Sequence, residues 1–343
     1  MEDASDKAVE RSPATPAPPV RDLKRVFIVG FPRSGTTWVM LLLARLPGVS
    51  VLQQAGLFHA LEGLDRWWGA SHRFSNGAPE PNRSTDEILD REDYRRLVRP
   101  VADHVFQAIA AETPGTEVVV EQTPENLQFH DEILELFPDA YFLHVVRDPR
   151  DAACSMRRAA RSWDNDFPGR PIHIARRWVE YANRARTLAS KTKRFHSVRY
   201  EDLLERGPEE LARIASWMGL ELSDADCVEA VEACSLRRLK DQEAERVPNG
   251  FFGKGQSGAW RGELSRSDLR ILEYVLGDEL EAAGYVRDHP RSRSKPFAVT
   301  WHEILALRGR RPQRALADLL RPVRQWFAFH RREREYTRAH ARN

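Results

Sequence analysis

The chain has 343 residues, of which 41% are hydrophobic and 30% charged, a balance typical of a globular protein with a large core. Its three cysteines lack metal-ligand spacing, which argues against a zinc site and a disulfide scaffold. It contains neither an apolar run long enough to cross a membrane nor a signal-peptide pattern, which argues against a membrane-spanning or secreted protein. The net charge of +2 is uneven, because residues 291–343 hold 14 Lys and Arg against 4 Asp and Glu. We expect a cytoplasmic protein with an acidic body and a basic extension.

Elements alternate along most of the chain. Residues 1–22 are rich in proline, alanine, serine and charge, which predicts a disordered leader. The predicted strands are 26–29, 117–120, 140–146 and 195–199, and the predicted helices are 36–46, 84–111, 126–137, 149–162, 172–191 and 208–219. This order predicts an α/β fold, with a mostly parallel sheet flanked by helices in one domain over residues 23–290. Because ligands of such sheets bind beyond the carboxyl ends of the strands, the segment after each strand is a candidate site.

The first predicted strand is followed by the loop F-P-R-S-G-T-T-W, residues 31–38. Gly30 and Gly35 have the spacing of a nucleotide-binding P-loop, but Thr36 stands where that loop has its lysine. A helix that begins near Thr36 directs backbone N–H groups at an anion, and Arg33 adds a positive charge. Further donors are the hydroxyl groups of Ser34, Thr36 and Thr37. The segment therefore predicts an anion site in preference to a plain glycine turn.

The second predicted strand is followed by E-Q-T-P-E-N, residues 121–126. Glu121 is expected to enter the same crevice, where its carboxylate can act as a general base. Two structural roles are equally open: an ion pair with a nearby arginine, or a cap on the helix at Asn126.

The third predicted strand is followed by R-D-P-R-D-A-A-C-S, residues 147–155. Asp148 is expected to cap the next helix, with Asp151 completing a capping box. Arg147 and Ser155, which lie eight residues apart, can hold a second phosphate, although a serine taken alone is more often a packing residue.

Two segments near the C-terminus have unusual composition. Four glycines surround Lys254 within residues 249–261, which predicts either a flap that delivers the lysine to an anion or a plain surface loop. In the basic extension, Trp326 and Phe327 lie among arginines in a helical pattern. We expect the extension to contact the acidic body, a second subunit or an anionic membrane surface.

Over about residues 25–285 these motifs together resemble the sulfotransferases that use 3′-phosphoadenosine 5′-phosphosulfate (PAPS). The loop at 31–38 is similar to the 5′-phosphosulfate loop of that family, and Arg147 with Ser155 is similar to the pair that holds the 3′-phosphate. Three further similarities are the adenine-side segment Cys234-Ser235-Leu236, the C-terminal loop 253–261 and the Tyr200-Glu201-Asp202 triplet after the fourth strand. Three positions differ from the usual family pattern: Arg33 and Gln122 stand in place of lysine, and Gly253 in place of arginine.

The resemblance implies a PAPS-dependent sulfotransferase, an enzyme that needs no metal because it bridges no β- and γ-phosphates. It implies that Glu121 is the general base and that Arg33 and Lys254 neutralise the leaving group. His59 and His130 are alternative bases, although both are expected to be ordinary helix-surface residues. The donor site that it implies consists of Arg33, Ser34, Gly35, Thr36, Thr37, Trp38, Arg147, Ser155, Tyr200, Cys234, Ser235, Leu236, Gly253, Lys254 and Gly255.

The acceptor is not defined by the sequence, and we expect a small molecule, a lipid or a glycan with a hydroxyl or amine, and no nucleic acid. Aromatic residues between the first two motifs either line its pocket or pack in the core: Phe58, Trp67, Trp68 and Phe74. A P-loop small-molecule kinase is the competing enzyme, although its lysine and a clear metal-binding acid are missing. A non-catalytic scaffold at the inner membrane surface is the alternative from another class. The excess of arginine over lysine is typical of bacteria with GC-rich genomes, and a homo-oligomer is compatible with the sequence.

Overall fold

In the computed structural model the described residues are 22–64, 88–162, 167, 169–235, 237–239 and 255–288. They are built around a sheet of five parallel strands: β1 Lys24–Gly30, β2 Val49–Gln53, β3 Val118–Gln122, β4 Tyr141–Val146 and β5 Phe195–Arg199. The spatial order is β2-β3-β1-β4-β5, so β1 lies at the centre with β3 and β4 on its two sides. The loops after these three strands therefore open side by side at one edge of the sheet.

Helices connect the strands and cover the sheet: α1 Thr36–Leu43, α2 Arg91–Glu112, α3 His130–Leu136, α4 Pro149–Ser162, α5 Pro171–Lys191, α6 Tyr200–Glu205, α7 Gly207–Met218, α8 Asp224–Ala233, α9 Trp260–Glu263, α10 Arg266–Leu276 and α11 Asp278–Ala282. Residues 57–64 are also helical. The predicted α/β fold is thus confirmed. Three predicted helices differ in detail. Helix α1 ends at Leu43, the helix predicted for residues 84–111 begins at Arg91 after its N-cap Asp90, and residues 126–137 begin as the 3-10 segment Pro124–Phe129 before α3.

One strand, β2, is absent from the sequence-based prediction. It pairs only with β3 and is half exposed, with the burial falling from Val49 towards Gln53. Ser50 lies on it, and its hydroxyl hydrogen-bonds the hydroxyl of Thr116 at 2.8 Å. Such a short edge strand shows neither a continuous apolar run nor a regular alternation, which explains why the pattern did not indicate it.

Strand residues alternate between two apolar layers. Phe27 and Phe142 face the layer that includes α2 and α5, whereas Ile28 and Leu143 face the layer that includes α1 and α7. Burial on both faces explains the near-continuous apolar sequences of β1, β3 and β4. The sheet is therefore a rigid support for the loops at its carboxyl edge.

The chain divides into two units, residues 1–287 and 288–343. The first contains the whole sheet and its helices. The predicted leader, apart from its last residue, and the predicted extension at 291–343 lie outside the described residues. Within the described part, no helix has both the length and the apolar character needed to cross a membrane.

Candidate functional site

The backbone of the loop after β1 is in conformations that favour glycine. Gly35 has φ +93°, and a Cβ atom there would lie 2.5 Å from the ring of Tyr200. At Gly30 a Cβ atom would lie 2.6 Å from the carbonyl oxygen of Val145. Arg33 has φ +71°, a left-handed conformation that costs energy for a residue with a side chain and is frequent at functional sites. The loop G-F-P-R-S-G therefore packs closely against β4 at Gly30 and against Tyr200 at Gly35.

Helix α1 begins directly after this loop. Its N-cap is Gly35, no side chain caps its first turn, and no acidic residue lies there. The first backbone N–H groups of a helix have no partner within the helix, so this end of α1 presents donors and a positive dipole end. Thr36 is buried and Thr37 half-buried in this first turn. The arrangement suits an anion, as the sequence predicts.

Arg147 carries a buried positive charge between two loops. Its side chain is 8% exposed, and its Nη1 and Nη2 atoms donate to the carbonyl oxygens of Arg33 at 3.1 Å and Gln256 at 3.3 Å. The guanidinium lies 4.4 Å from the ring centroid of Tyr200, while its Nε atom is buried without a hydrogen-bond partner. Among the residues that the structure describes, no carboxylate oxygen lies within 4 Å of it. A buried charge without an ion-pair partner in the described structure is costly, so this position favours a bound anion.

Arg33, whose carbonyl Arg147 bonds, also contacts a second predicted donor-binding residue. The Nε atom of Arg33 donates to the Oγ atom of Ser155 at 3.1 Å, and Ser155 is 5% exposed. Ser34 is fully buried, and its Oγ atom has no partner. Buried polar atoms are nearly always hydrogen-bonded in folded proteins, so an orphaned hydroxyl marks a position where a ligand can complete the bonding. The side chains present therefore fit a donor with two anionic groups.

Gln122, the last residue of β3, contacts the first turn of α1. Its Nε2 atom donates to the Oγ1 atom of Thr36 at 3.1 Å, and its Oε1 atom is buried without a partner. The residue that replaces a lysine of the family motif thus supports the first turn of α1 without adding charge.

The predicted capping box of α4 is only half correct. Asp148 does cap the helix, since its Oδ1 atom accepts from the backbone N–H of Arg150 at 2.9 Å. The backbone N–H of Asp148, however, donates to Glu201 at 3.0 Å, and the carboxylate of Asp151 bonds elsewhere. A local sequence pattern cannot show that both groups prefer partners far along the chain.

Asp151 instead holds the C-terminal glycine segment. Its two carboxylate oxygens accept from the backbone N–H groups of Gly258 at 2.7 Å and Trp260 at 2.9 Å. Burial raises the pKa of this carboxyl, and the two N–H groups oppose that effect. Arg147 also bonds Gln256. Arg147 and Asp151, which lie four residues apart, therefore both hold the glycine segment that follows Lys254. This anchoring role was missed at the sequence level.

The predicted adenine-side segment lies against α1. The Nε1 atom of Trp38 donates to the carbonyl oxygen of Cys234 at 3.0 Å, and the ring of Tyr200 packs edge-on against Trp38 at 5.4 Å. Cys234 is fully buried and Ser235 half-buried. The end of α8 is thereby joined to the helix that follows the phosphate loop.

Glu121 is a fully buried carboxylate. Its Oε1 atom accepts from the hydroxyl of Thr123 at 2.5 Å, its Oε2 atom accepts from the side-chain amide of Asn126, and the backbone N–H of Ala55 also bonds it. Among the described residues it forms no ion pair with an arginine. Burial raises its pKa to about 7 although these donors stabilise the charged form. A carboxyl group with this pKa exchanges protons readily near neutral pH.

The remaining candidates have mixed outcomes. His59 is exposed as expected, but His130 is 6% exposed, because the preceding 3-10 segment turns it inward and its Nδ1–H donates to the carbonyl of Leu127 at 3.0 Å. Phe58 packs in the core, 5.8 Å from the ring of Phe27. Gly255, with φ +60°, opens the described C-terminal segment. Several candidates lie outside the described residues: Trp67, Trp68, Phe74, Leu236, Gly253 and Lys254.

Similarity to known proteins extends over most of the described chain. A model of the sulfotransferase family matches residues 25–224. The nodulation protein NoeE of Sinorhizobium fredii (strain NBRC 101917 / NGR234) is 27% identical over 290 residues, which cover 78% of this chain and 67% of that protein. Mouse protein-tyrosine sulfotransferase 1 is 28% identical over 136 residues, which cover 40% of this chain and 34% of that protein. The match to this relative thus spans about a third of its length.

A solved structure has a similar fold. The structure of mouse sulfotransferase SULT7A1 complexed with PAP superposes with a TM-score of 0.51 at 15% identity, and the match covers 77% of this chain and 87% of that one.

Proposed function

The chain belongs to the sulfotransferase family, whose enzymes depend on PAPS, and we propose that it transfers a sulfuryl group from PAPS to a hydroxyl or amine of an acceptor. The buried guanidinium of Arg147 carries this proposal. It lies between the loop after β1 and the C-terminal glycine segment, with no carboxylate partner in the described structure. A site built to hold a donor with two separate anionic groups accounts for that charge.

Each end of the donor has its own set of residues in this proposal. The N-terminal turn of α1, with Arg33, Ser34, Thr36 and Thr37, binds the 5′-phosphosulfate. Arg147 and Ser155 bind the 3′-phosphate, a group that ATP lacks. The adenine lies near Trp38 and the segment that begins at Cys234. Burial of these polar groups supports the assignment, because ligand atoms would satisfy donors that the protein leaves unpaired.

The chemistry then needs a base and charge neutralisation. PAPS supplies the sulfuryl group, and the acceptor oxygen attacks sulfur in line with the bond to the leaving 5′-phosphate. Glu121 accepts the acceptor's proton, for which a pKa of about 7 is suitable. Arg33, the N–H groups of α1 and Lys254 neutralise the negative charge that grows on the leaving phosphate. The lysine of a P-loop is unnecessary, since no terminal phosphates are bridged.

The acceptor class stays a proposal drawn from the family resemblance: a small molecule, a lipid or a glycan. Contact of the basic extension with a membrane or with a second subunit likewise stays a prediction.

The proposal is tested by calorimetric titration of the Arg147→Ala variant. Loss of the guanidinium removes a charge-assisted contact to the 3′-phosphate, so affinity for 3′,5′-adenosine bisphosphate should fall by at least about tenfold more than affinity for 5′-AMP. Arg157→Ala is the matched control on the same helix, because Arg157 pairs with Asp268 at 2.8 Å away from the loops. Equal losses for both nucleotides in Arg147→Ala would refute the assignment of the 3′-phosphate.

A further inference from the structure

A cavity of about 340 Å³ lies on the face of the sheet formed by β4 and β5. Helices α5 and α11 form its walls, and Phe31 and Ser34 of the donor loop line one end. Its volume is within the range of pockets that bind small molecules, which are mostly apolar with a few polar groups. Of the residues given a role above, only Ser34 borders this space.

The hollow has a clear cause in the sequence. Helix α5 presents alanines at three positions of one face, namely Ala182, Ala185 and Ala189. The end of α11 presents Ala282, and the residue that follows the helix, Ala283, lies beside it. Positions three and four apart lie on the same side of a helix, so five short side chains converge where larger ones would fill the gap. Aromatic rings complete the apolar lining: Trp178, Tyr181 and Phe195.

One polar pair lies on the floor of the cavity. The Nδ1 atom of His144 and the Oγ atom of Ser197 are 3.2 Å apart, and the ring of His144 lies 5.6 Å from that of Phe195. In the described structure the Nε2 atom of His144 has no hydrogen-bond partner. Burial lowers the pKa of His144 to about 4, so the imidazole is neutral at pH 7. A neutral imidazole offers its second nitrogen to a single polar group.

Carboxylates lie near both arginines of the lining. Arg186 pairs with Glu279, with Nη2 donating to Oε1 at 2.9 Å. Arg199 lies 4.5 Å from the ring centroid of Tyr285, its Nε atom is buried without a hydrogen-bond partner in the described structure, and the nearby carboxylates of Glu201 and Asp202 act to raise its pKa. A charged ligand would therefore have to compete with, or be repelled by, carboxylates that already lie near both arginines, which favours an uncharged molecule.

The cavity is separate from the proposed base. Glu121 pairs in register with Phe27 of β1, Phe27 with Phe142 of β4, and Phe142 with Phe195 of β5. Three strand spacings, about 14 Å, therefore divide Glu121 from the β5 wall. The rings of Phe27 and Phe142 stack at 5.7 Å and fill the intervening core. The β5 side of the cavity is therefore distant from Glu121, whereas Tyr181 on the other side bonds Gln128 of the segment that follows β3.

We propose that this cavity binds a small, uncharged, largely apolar molecule with one hydroxyl group, which hydrogen-bonds His144. The cavity borders the donor loop through Phe31 and Ser34, but its existence does not depend on sulfuryl transfer.

The test is calorimetric titration of the full chain at pH 7 with three molecules that share one ring system: 2-naphthol, naphthalene and 2-naphthoate. We expect 2-naphthol to bind about fivefold more tightly than naphthalene, since it gains one hydrogen bond. It should bind at least about tenfold more tightly than 2-naphthoate, whose charge is unmatched. Tighter binding of the carboxylate would overturn the proposal.

Two variants assign the binding to this cavity. Ala182→Phe fills the hollow and should abolish binding of 2-naphthol, whereas Thr187→Phe adds the same ring to an exposed position of α5 and should leave binding intact. His144→Leu should remove the preference for 2-naphthol over naphthalene without filling the hollow. Unchanged 2-naphthol binding in Ala182→Phe, or an unchanged preference in His144→Leu, would place the ligand elsewhere and contradict the proposal.

Discussion

At the scale of single residues, the candidate site depends on positions that have no space for a larger side chain. Gly35 leaves room for the ring of Tyr200, which in turn supports Arg147 and Trp38. One aromatic ring thus connects the phosphate loop, the buried charge and the adenine side. Even a small change of side chain at these positions should therefore weaken donor binding.

Gly35→Ala is therefore expected to weaken both folding and donor binding. The added Cβ would lie 2.5 Å from Tyr200 at a φ of +93°, so the loop must shift. We expect a loss of about 1–3 kcal/mol in the free energy of unfolding and weaker binding of 3′,5′-adenosine bisphosphate, measured by denaturation and calorimetry. Gly63→Ala is the control, because an added Cβ there meets nothing within 4 Å. Equal behaviour of the two variants would contradict the tight packing of the loop.

Glu121 should determine how turnover depends on pH. Its carboxylate form is the base, and burial raises its pKa to about 7, so kcat/KM should fall as the pH drops below about 7. Glu121→Gln should lower kcat by about 10²-fold or more and remove this acidic limb, with bisphosphate affinity kept. Glu125→Gln, in the same segment, should behave like the wild type. Wild-type turnover in Glu121→Gln would transfer the role of base to another residue, and His130 would be tested first.

The same raised pKa has a consequence for stability. The folded state binds the proton of Glu121 more tightly than the unfolded chain, in which the carboxyl has its ordinary pKa of 4.5. This group therefore favours folding at low pH, and its contribution is lost as the pH rises through about 7.

At the scale of elements, the start of α4 is a junction. Asp148, Arg150 and Glu273 form a buried ion network, with Arg150 bonded to both carboxylates at 2.8 Å and stacked 3.9 Å from the ring centroid of Trp260. One turn along, Asp151 holds the C-terminal glycine segment. Helix α4 thus fixes the distance between the loop after β4 and the segment that follows Lys254.

Asp151→Ala should release that segment. Two backbone N–H groups would lose their acceptor, so the carbonyl of Gln256 would no longer be held at Arg147, and affinity for 3′,5′-adenosine bisphosphate should fall by about tenfold or more. Ser265→Ala is the control, since it removes the N-cap of α10 and should cost about 1 kcal/mol of stability without affecting binding. Titration of both variants alongside thermal denaturation separates the two effects. Unchanged affinity in Asp151→Ala would show that the segment does not contribute to the donor site.

At the scale of the whole molecule, the central strands and their loops were predictable because parallel strands buried on both faces leave continuous apolar runs in the sequence. The edge strand β2 was not, since it is short and half exposed. Arg33, Arg147 and Ser155 were recognised as a group because each lies near a strand end or on the helix that follows one. Contacts that join distant segments left no local pattern: Asp151 to Gly258, Gln122 to Thr36, and His144 to Ser197.

The central claim is that this fold binds a 3′-phosphorylated adenine nucleotide without metal. The most direct measurement is a calorimetric titration of the full chain with 3′,5′-adenosine bisphosphate in the absence of magnesium, beside one with ATP plus magnesium. We predict that the bisphosphate binds at least about tenfold more tightly than Mg·ATP. Binding of Mg·ATP without binding of the bisphosphate would contradict the claim and favour a kinase, and binding of neither would show that the fold is kept without the donor site.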